Sequence, residues 1–345
     1  MGVNITDLLV HHEIELSDLA GKTLVVDAPM WLYQFLTSIR GPDGDPLKDS
    51  HGRITSHLMG ISTRIPRLME KGLKLAFCFD GKIPELKQHE RERRREMKQH
   101  AEQQYAIAEQ QGDVAAMRTF AARTTRLTSD LIQESQELLT AFGLPVIVAA
   151  SEAEAQAAYI VKNGDAYAVA SNDADCFLFE APRVIRNLSL VGKKKKTKAL
   201  SYESVKPLLI EHKEVLKNLG ITQDQLIVLA MLIGTDYDVG GIKGIGPKNA
   251  LKLVKQYPTL QDFDALFIQV KWNEFFEYPW REVFGLIKHI PVHDHYKLIW
   301  KPVQKEKIMA FLCEQHDFSK ERVEGIIKKL TAATAAKQKG LSEFL

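Results

Sequence analysis

Short apolar runs that each stop at a carboxylate constrain this chain more than any other feature. Asp27 follows TLVV, Asp80 follows LKLAFCF, Glu152 and Glu154 follow LPVIVAAS, and Asp173 and Asp175 follow AYAVASN, while Asp236 stands in LIGTDYD. Short β-rich runs separated by helical stretches read as buried parallel strands. Ligands of open α/β sheets bind at the carboxyl ends of such strands. Neighbouring strands would bring these side chains to one spot, where so many negative charges coexist only if protons or cations neutralise them. Oxygen-only ligands in that number suit Mg²⁺, with Mn²⁺ as a substitute, bound as a pair. The expected fold class is therefore α/β, a central, mostly parallel twisted sheet flanked by helices.

Composition narrows the function. The 345 residues carry 46 basic and 44 acidic side chains, a formal charge of +2, which excludes a uniformly basic nucleic-acid binder. Any polyanion site must be a local patch. Cys78, Cys176 and Cys313 are isolated, so no disulfide framework or CxxC metal site is available and an intracellular setting is expected. No apolar stretch approaches the ~20 residues of a membrane span, so a soluble protein is expected. MGVNIT matches the myristoylation pattern at Gly2, but no second anchoring signal accompanies it.

Strand and helix alternate from the start to about residue 80, and again around the helix EAEAQAAYIVKNG, until the loop VGKKKKTKAL. Whether its run Lys193–Lys196 faces a ligand or only solvent is left open. Beyond Tyr202 the chain reads as mostly helical, with a Gly-rich turn at DVGGIKGIGPKNA and a domain end near Leu330. TAATAAKQKG then reads as a tether before the apolar LSEFL.

Each carboxylate also has a plain structural explanation. An Asp after a strand often forms a turn. Asp173 and Asp175, two apart in extended chain, would point to one face and share a cation. Ser151 and Glu154 have the spacing of a capping box, and acids favour a first helical turn, so Glu152 and Glu154 need no metal. They also lie about 200° apart on an ideal helix. The residues alone do not choose between these readings, nor between Asp236 and Asp238 in GTDYD.

Positive charge is also localised. On a helical wheel Lys87, Arg91, Arg94, Arg95 and Lys98 fall within roughly a 100° arc, with Glu85, Glu92 and Glu96 opposite. Such a face could be solvated and laced with ion pairs, yet it starts just after Asp80, where Lys87 and Arg94 could meet a phosphate. Gly244, Ile245 and Gly246 precede Pro247, a natural first helical residue, and Lys243 and Lys248 flank the turn, which favours phosphate binding by backbone N–H groups.

Read in order, FDGK, SEAEAQAAY, DADCFLF and LIGTDYD…GIKGIGPK resemble the flap endonuclease family of structure-specific 5′ nucleases, in its archaeal form, along the whole chain. The resemblance implies one nuclease domain over 1–330, with a helical arch at about 82–135 and a helix-hairpin-helix at about 225–256. It implies that Asp27, Asp80, Glu152, Glu154, Asp173, Asp175 and Asp236 hold two Mg²⁺ ions, and that Lys87 and Arg94 are the catalytic basic pair. Tyr33 matches an aromatic residue that stacks on a base, Gly2 a position near the active site, and Arg95 lies on the same basic face toward DNA. Lys243, Gly244, Gly246 and Lys248 match the hairpin that contacts duplex DNA, often with a bound K⁺. Gln338, Leu341, Phe344 and Leu345, in a flexible tail over 331–345, match a PCNA-type sliding-clamp motif, except that Leu345 stands where a second aromatic is usual.

The implied activity is hydrolysis of DNA bearing a 5′ flap, with 5′ exonuclease activity, in Okazaki fragment maturation and base excision repair. A monomer is expected, cytoplasmic or associated with the nucleoid if archaeal. Two alternatives compete. YAVASNDADC resembles the DxD strand of haloacid-dehalogenase-like phosphatases, although Cys176 follows the second Asp. A non-catalytic, clamp-tethered DNA adaptor would need the hairpin and tail alone, and would predict gaps in the carboxylate set.

Overall fold

The computed structural model describes residues 3–41, 44–111, 113, 116, 119–120, 124–195 and 202–342. Its strands are β1 (His12–Glu13), β2 (Thr23–Asp27), β3 (Lys74–Phe79), β4 (Val146–Val148), β5 (Ala168–Ala170), β6 (Arg183–Arg186), β7 (Gly192–Lys195), β8 (Tyr202–Val205) and β9 (Leu208–Glu211). Seven of them belong to one mixed sheet with many helices around it, an α/β fold as expected. The chain divides into two compact units.

One unit comprises 16–79, 93–147 and 295–345. Within it β2 and β3 pair in parallel, from Thr23 opposite Lys74 to Asp27 opposite Cys78, and β4 lies next to β3. Leu24, Val25, Val26, Leu75 and Ala76 are wholly buried, so these strands need apolar residues on both faces and read as unbroken runs. Asp27 ends β2 and caps the helix Ala28–Ser38, accepting the Met30 N–H at 3.2 Å. Helix Ser129–Ala141 is capped by Thr128.

The expected tether is instead part of the helix Lys320–Ser342. Its TAATAA stretch is rich in the best helix former and free of Gly and Pro, so it continues a helix already begun. The hydroxyls of Thr331 and Thr334 bond back to the carbonyls of Ile327 and Leu330, and Ala333 is buried, so packing extends past Leu330. Phe344 and Leu345 lie outside the described residues, as do the side chains of Gln338 and Leu341.

The other unit comprises 1–15, 80–92 and 148–294. β5 and β6 are parallel, whereas β9 runs antiparallel to β6 and β1 antiparallel to β9, which gives the sheet an antiparallel edge. β7 and β8 form a separate hairpin that carries Lys193, Lys194 and Lys195; Lys196 lies outside the described residues. Helix Gln223–Ile233 opens with a capping box between Thr222 and Gln225. The following helix Pro247–Val254 has Gly246 as its N-cap and Pro247 at its first position, as the sequence suggested. A Cβ on Gly241 would lie 2.3 Å from the carbonyl carbon of Ile233, so only glycine lets this loop close against the preceding helix. Phe263, Phe267, Trp272, Trp280 and Phe284 form an aromatic core beyond it.

Candidate metal centre

The loops after β3 and β4 are joined through their backbones. Gly81 N–H donates to Ser151 O at 2.7 Å and Lys82 N–H to Ala150 O at 3.2 Å. A Cβ on Gly81 would stand 1.9 Å from Ala149 O, which explains the glycine in FDGK. Asp80 then accepts the N–H of Ala153 at 2.9 Å, so this carboxylate, not Ser151, caps the helix Ala153–Lys162. The expected capping box therefore does not form. Ser151 Oγ is buried without a hydrogen-bond partner, and Glu152 takes the N-cap position in an extended conformation. Because Glu152 precedes the helix, the ideal-wheel separation from Glu154 does not apply, and both carboxylates act on the Lys87 ammonium.

Asp173 is extended, but Asp175 lies in a turn, so the two do not share the alternation of extended chain. Asp173 caps the 3₁₀ turn Ala174–Phe177 and accepts the Asp175 N–H at 3.1 Å. Asp175, inside that turn, accepts the Val3 N–H at 2.7 Å. Burial pushes the Asp175 carboxyl well above the usual range; Asp173, Asp236 and Glu152 push it the same way, and the Val3 N–H opposes them. These four acids therefore share one field. Their charges coexist only with a cation among them.

A cation is present in the form of Lys87, which ends the 3₁₀ turn Glu85–Lys87 before the helix Gln88–Gln111. Its Nζ lies 2.7 Å from Glu152 Oε1 and 3.1 Å from Asp236 Oδ2. Burial alone would push the Lys87 ammonium down, but Glu152, Glu154 and Asp236 outweigh it and raise the group. Glu152 Oε1 also accepts the Tyr237 hydroxyl at 2.7 Å, and the Tyr237 ring stands 5.9 Å from Lys87 Nζ. The phenol is buried and held neutral, its pKa raised by burial first and then by Glu152. Tyr278 in turn donates to the Tyr237 carbonyl at 2.7 Å. Tyr237 was not singled out from the sequence. Its position between two acids in GTDYD is the only signal there, and nothing in one sequence tells a core tyrosine from one bonded to a carboxylate.

The pair Asp236 and Asp238 separates by environment. Asp236 faces Lys87, whereas Asp238 is fully buried and accepts from the Thr235 N–H at 3.2 Å and from the Thr235 hydroxyl, closing its own turn. Among the described residues, no three His, Cys, Asp or Glu side chains are grouped as metal ligands in this arrangement. The donor set nevertheless suits a hard divalent cation. It is made of oxygens only, Glu152, Asp175 and Asp236 are buried, and burial first and then its neighbours drive the Asp175 carboxyl toward the neutral form.

The remaining candidates are placed as follows. Asp27 is buried at the end of β2. Tyr33 is 40% exposed, with the Lys98 ammonium 5.9 Å from its ring. Arg94 is half-buried and Arg95 exposed on the helix Gln88–Gln111. Lys243, Gly244, Gly246 and Lys248 are all exposed on the hairpin, with Gly244 in the left-handed region at φ +88°. Gly2 lies outside the described residues. No helix among the described residues is long and apolar enough to cross a membrane.

Residues 1–101 match the XPG N-terminal domain and residues 143–236 the XPG I-region. Flap endonuclease 1 of Staphylothermus marinus is 45% identical over 352 residues, covering 100% of this chain and 99% of that protein. Flap endonuclease 1 of Pyrococcus horikoshii is 46% identical, covering 97% and 96%. The structure of flap endonuclease-1 from Methanococcus jannaschii matches with a TM-score of 0.75 at 39% identity, covering 97% of this chain and 100% of that one. The phosphatase alternative has no support in these matches. With relatives that share nearly half its residues along its whole length, the chain belongs to the flap endonuclease family of nucleases.

Proposed function

We propose that this protein is a structure-specific 5′ flap endonuclease, with 5′ exonuclease activity, that hydrolyses a DNA phosphodiester near the junction of flap and duplex. The observation that carries the reading is the set of buried carboxylates, Glu152, Asp175 and Asp236, which act on one another, with Glu152 and Asp236 paired to one cationic side chain. Asp80, Glu152, Glu154, Asp173, Asp175 and Asp236 would hold two Mg²⁺ ions, or Mn²⁺ in their place; Asp27, in the other unit, joins the set on the family resemblance alone. Two such ions, when bound, lower the pKa of an attacking water and stabilise the leaving oxygen. Uncatalysed phosphate-ester hydrolysis is so slow that the site must remove a barrier in the upper part of the ~8 to 23 kcal/mol range.

The chain's own residues bind and orient. Lys87 and Arg94 offer positive charge to the scissile phosphate, where charge develops during the reaction. Tyr237 fixes Glu152 through its 2.7 Å hydrogen bond, so the carboxylate meets its ligand in one rotamer. Lys243, Gly244, Gly246 and Lys248 present a surface for duplex phosphates, with K⁺ as a candidate companion ion. Tyr33 and Arg95 meet the strand near the cut. The helix Gln88–Gln111 forms part of an arch that admits a single strand but not a duplex. The C-terminal residues Gln338, Leu341, Phe344 and Leu345 dock on a sliding clamp. A labelled 5′-flap duplex incubated with the protein tests the core of this: products with Mg²⁺ and none with chelator support it. Cleavage that survives chelation contradicts it.

A further inference from the structure

Lys87 pairs directly with carboxylates that the family resemblance assigns to the metal ions. Its ammonium bridges two of the carboxylates assigned to the ions, at 2.7 Å from Glu152 and 3.1 Å from Asp236, with Glu154 adding to the same field. The bridge is built rather than incidental. Tyr237 holds Glu152 Oε1 from a second direction, its ring flanks the ammonium, and the lysine side chain is only 16% exposed. We propose that Lys87 is the resident counter-cation of the metal-free centre, and that divalent ions must displace it from Glu152 and Asp236 before the site is loaded.

Three features of the geometry support an exchange over simultaneous occupancy. A Mg²⁺ ion draws its oxygens to about 2.0–2.1 Å, closer than an ammonium does, so the carboxylates cannot serve both in their present positions. A divalent ion and an ammonium between the same oxygens repel each other across a few ångströms in a poorly solvated site. Finally, Lys87 hangs from the short 3₁₀ turn Glu85–Lys87, where a long side chain can swing out without unfolding a helix. Once displaced it remains next to the centre, available for a phosphate. The inference rests on the reading of this centre as the metal site of the nuclease. It adds that the side chain awaiting phosphate first offsets the repulsion among the carboxylates, at the cost of weaker binding of divalent ions without DNA.

The test is Mn²⁺ binding to the DNA-free protein by calorimetry, in the wild type and in Lys87→Met and Lys87→Arg. Removing a competing cation should tighten Mn²⁺ binding in Lys87→Met by about 10-fold, within the range usual for coupled sites, while Lys87→Arg stays close to wild type. The metal-free melting temperature of Lys87→Met should fall, and the gap should narrow at saturating Mn²⁺. Equal or weaker Mn²⁺ affinity in Lys87→Met overturns the proposal. Should Lys87→Met fail to fold, ¹⁵N spectra of lysine ammonium groups in the wild type decide the matter under Mg²⁺ titration. One protected resonance that is lost or moves as the ion binds supports displacement, and an unmoved set overturns it. Failure of the underlying reading looks different: a wild type that binds Mn²⁺ and gives up Lys87, yet leaves 5′-flap DNA intact, would refute the nuclease and not the exchange.

Discussion

At the scale of single residues, Tyr237 and His316 carry the sharpest expectations. Tyr237→Phe removes the hydrogen bond to Glu152 and little else, since the ring can stay in its buried place. A hydrogen bond to a charged group contributes about 1.5–3 kcal/mol, so a single-turnover cleavage rate lower by about 10- to 100-fold is expected, with the Mg²⁺ requirement moved to higher concentration. An unchanged rate and Mg²⁺ dependence would show that Glu152 needs no such support. His316 is buried, with Nδ1 3.5 Å from Asp49 and Nε2 3.8 Å from Glu134. Burial pushes its imidazole below the ordinary range; Arg53 and His57 act the same way, and Glu134 and Asp49 oppose them. The unfolded chain therefore takes up this proton first, so the contribution is complete above about pH 6.5 and is lost as pH falls from there toward the lowered folded value. Melting temperatures should decline over that interval, and His316→Gln should flatten the decline; an identical acid limb in the variant assigns the loss to other groups. The acids at strand ends were legible in the sequence because each ends an apolar run. Tyr237 and the split between Asp236 and Asp238 were not, since Glu152 and Lys87, the partners of Tyr237 and Asp236, lie far away in the chain.

At the scale of elements, the joined loops after β3 and β4 are what bring acids from separate strands together. Gly81→Ala would force a Cβ against the backbone carbonyl of Ala149, which cannot move aside as a flexible side chain could. We expect a loss of about 3 kcal/mol or more in unfolding free energy, at the upper end for overpacking, together with a large loss of flap cleavage. Stability within about 0.5 kcal/mol of wild type would show that the two loops are not held in register by this contact. Buried strands were readable from their composition because successive residues, which point to opposite faces, are all buried. The antiparallel edge of β9 and β1 was not, for β1 has two residues and carries no alternation to detect. The spacing of DAD predicts an extended segment, whereas Asp173 binds the Asp175 N–H locally and turns the chain into a 3₁₀ turn from Ala174. The Ala-rich stretch after Leu330 reads as a tether in the sequence, and continues a helix in the structure. A polar, low-complexity sequence can serve either role, and the burial of Ala333 favours the helix.

At the scale of the whole molecule, the reading combines a cation-dependent centre, a basic helix, a glycine hairpin and a C-terminal clamp anchor. Phe344→Ala should remove stimulation by the sliding clamp while clamp-free cleavage stays unchanged, because Phe344 is assigned to the anchor and not to the chemistry. Survival of stimulation, or a parallel loss of clamp-free activity, would deny a separable anchor. The family was legible from motif order alone, since FDGK, SEAEAQAAY, DADCFLF and GIKGIGPK mark the loop, helix start, 3₁₀ turn and glycine turn on which the proposed centre and hairpin depend. The position of Lys87 among the acids was not, because a wheel shows which face a charge lies on and not what it meets. The central claim is that buried carboxylates make this protein a metal-dependent flap nuclease, and Asp175→Asn tests it most directly. The measurement is single-turnover cleavage of a labelled 5′-flap duplex at saturating Mg²⁺, beside the equilibrium affinity for the same DNA. Cleavage should be abolished while affinity persists, since the substitution leaves the DNA contacts proposed for the hairpin and arch untouched. Near-normal cleavage by Asp175→Asn would contradict the account.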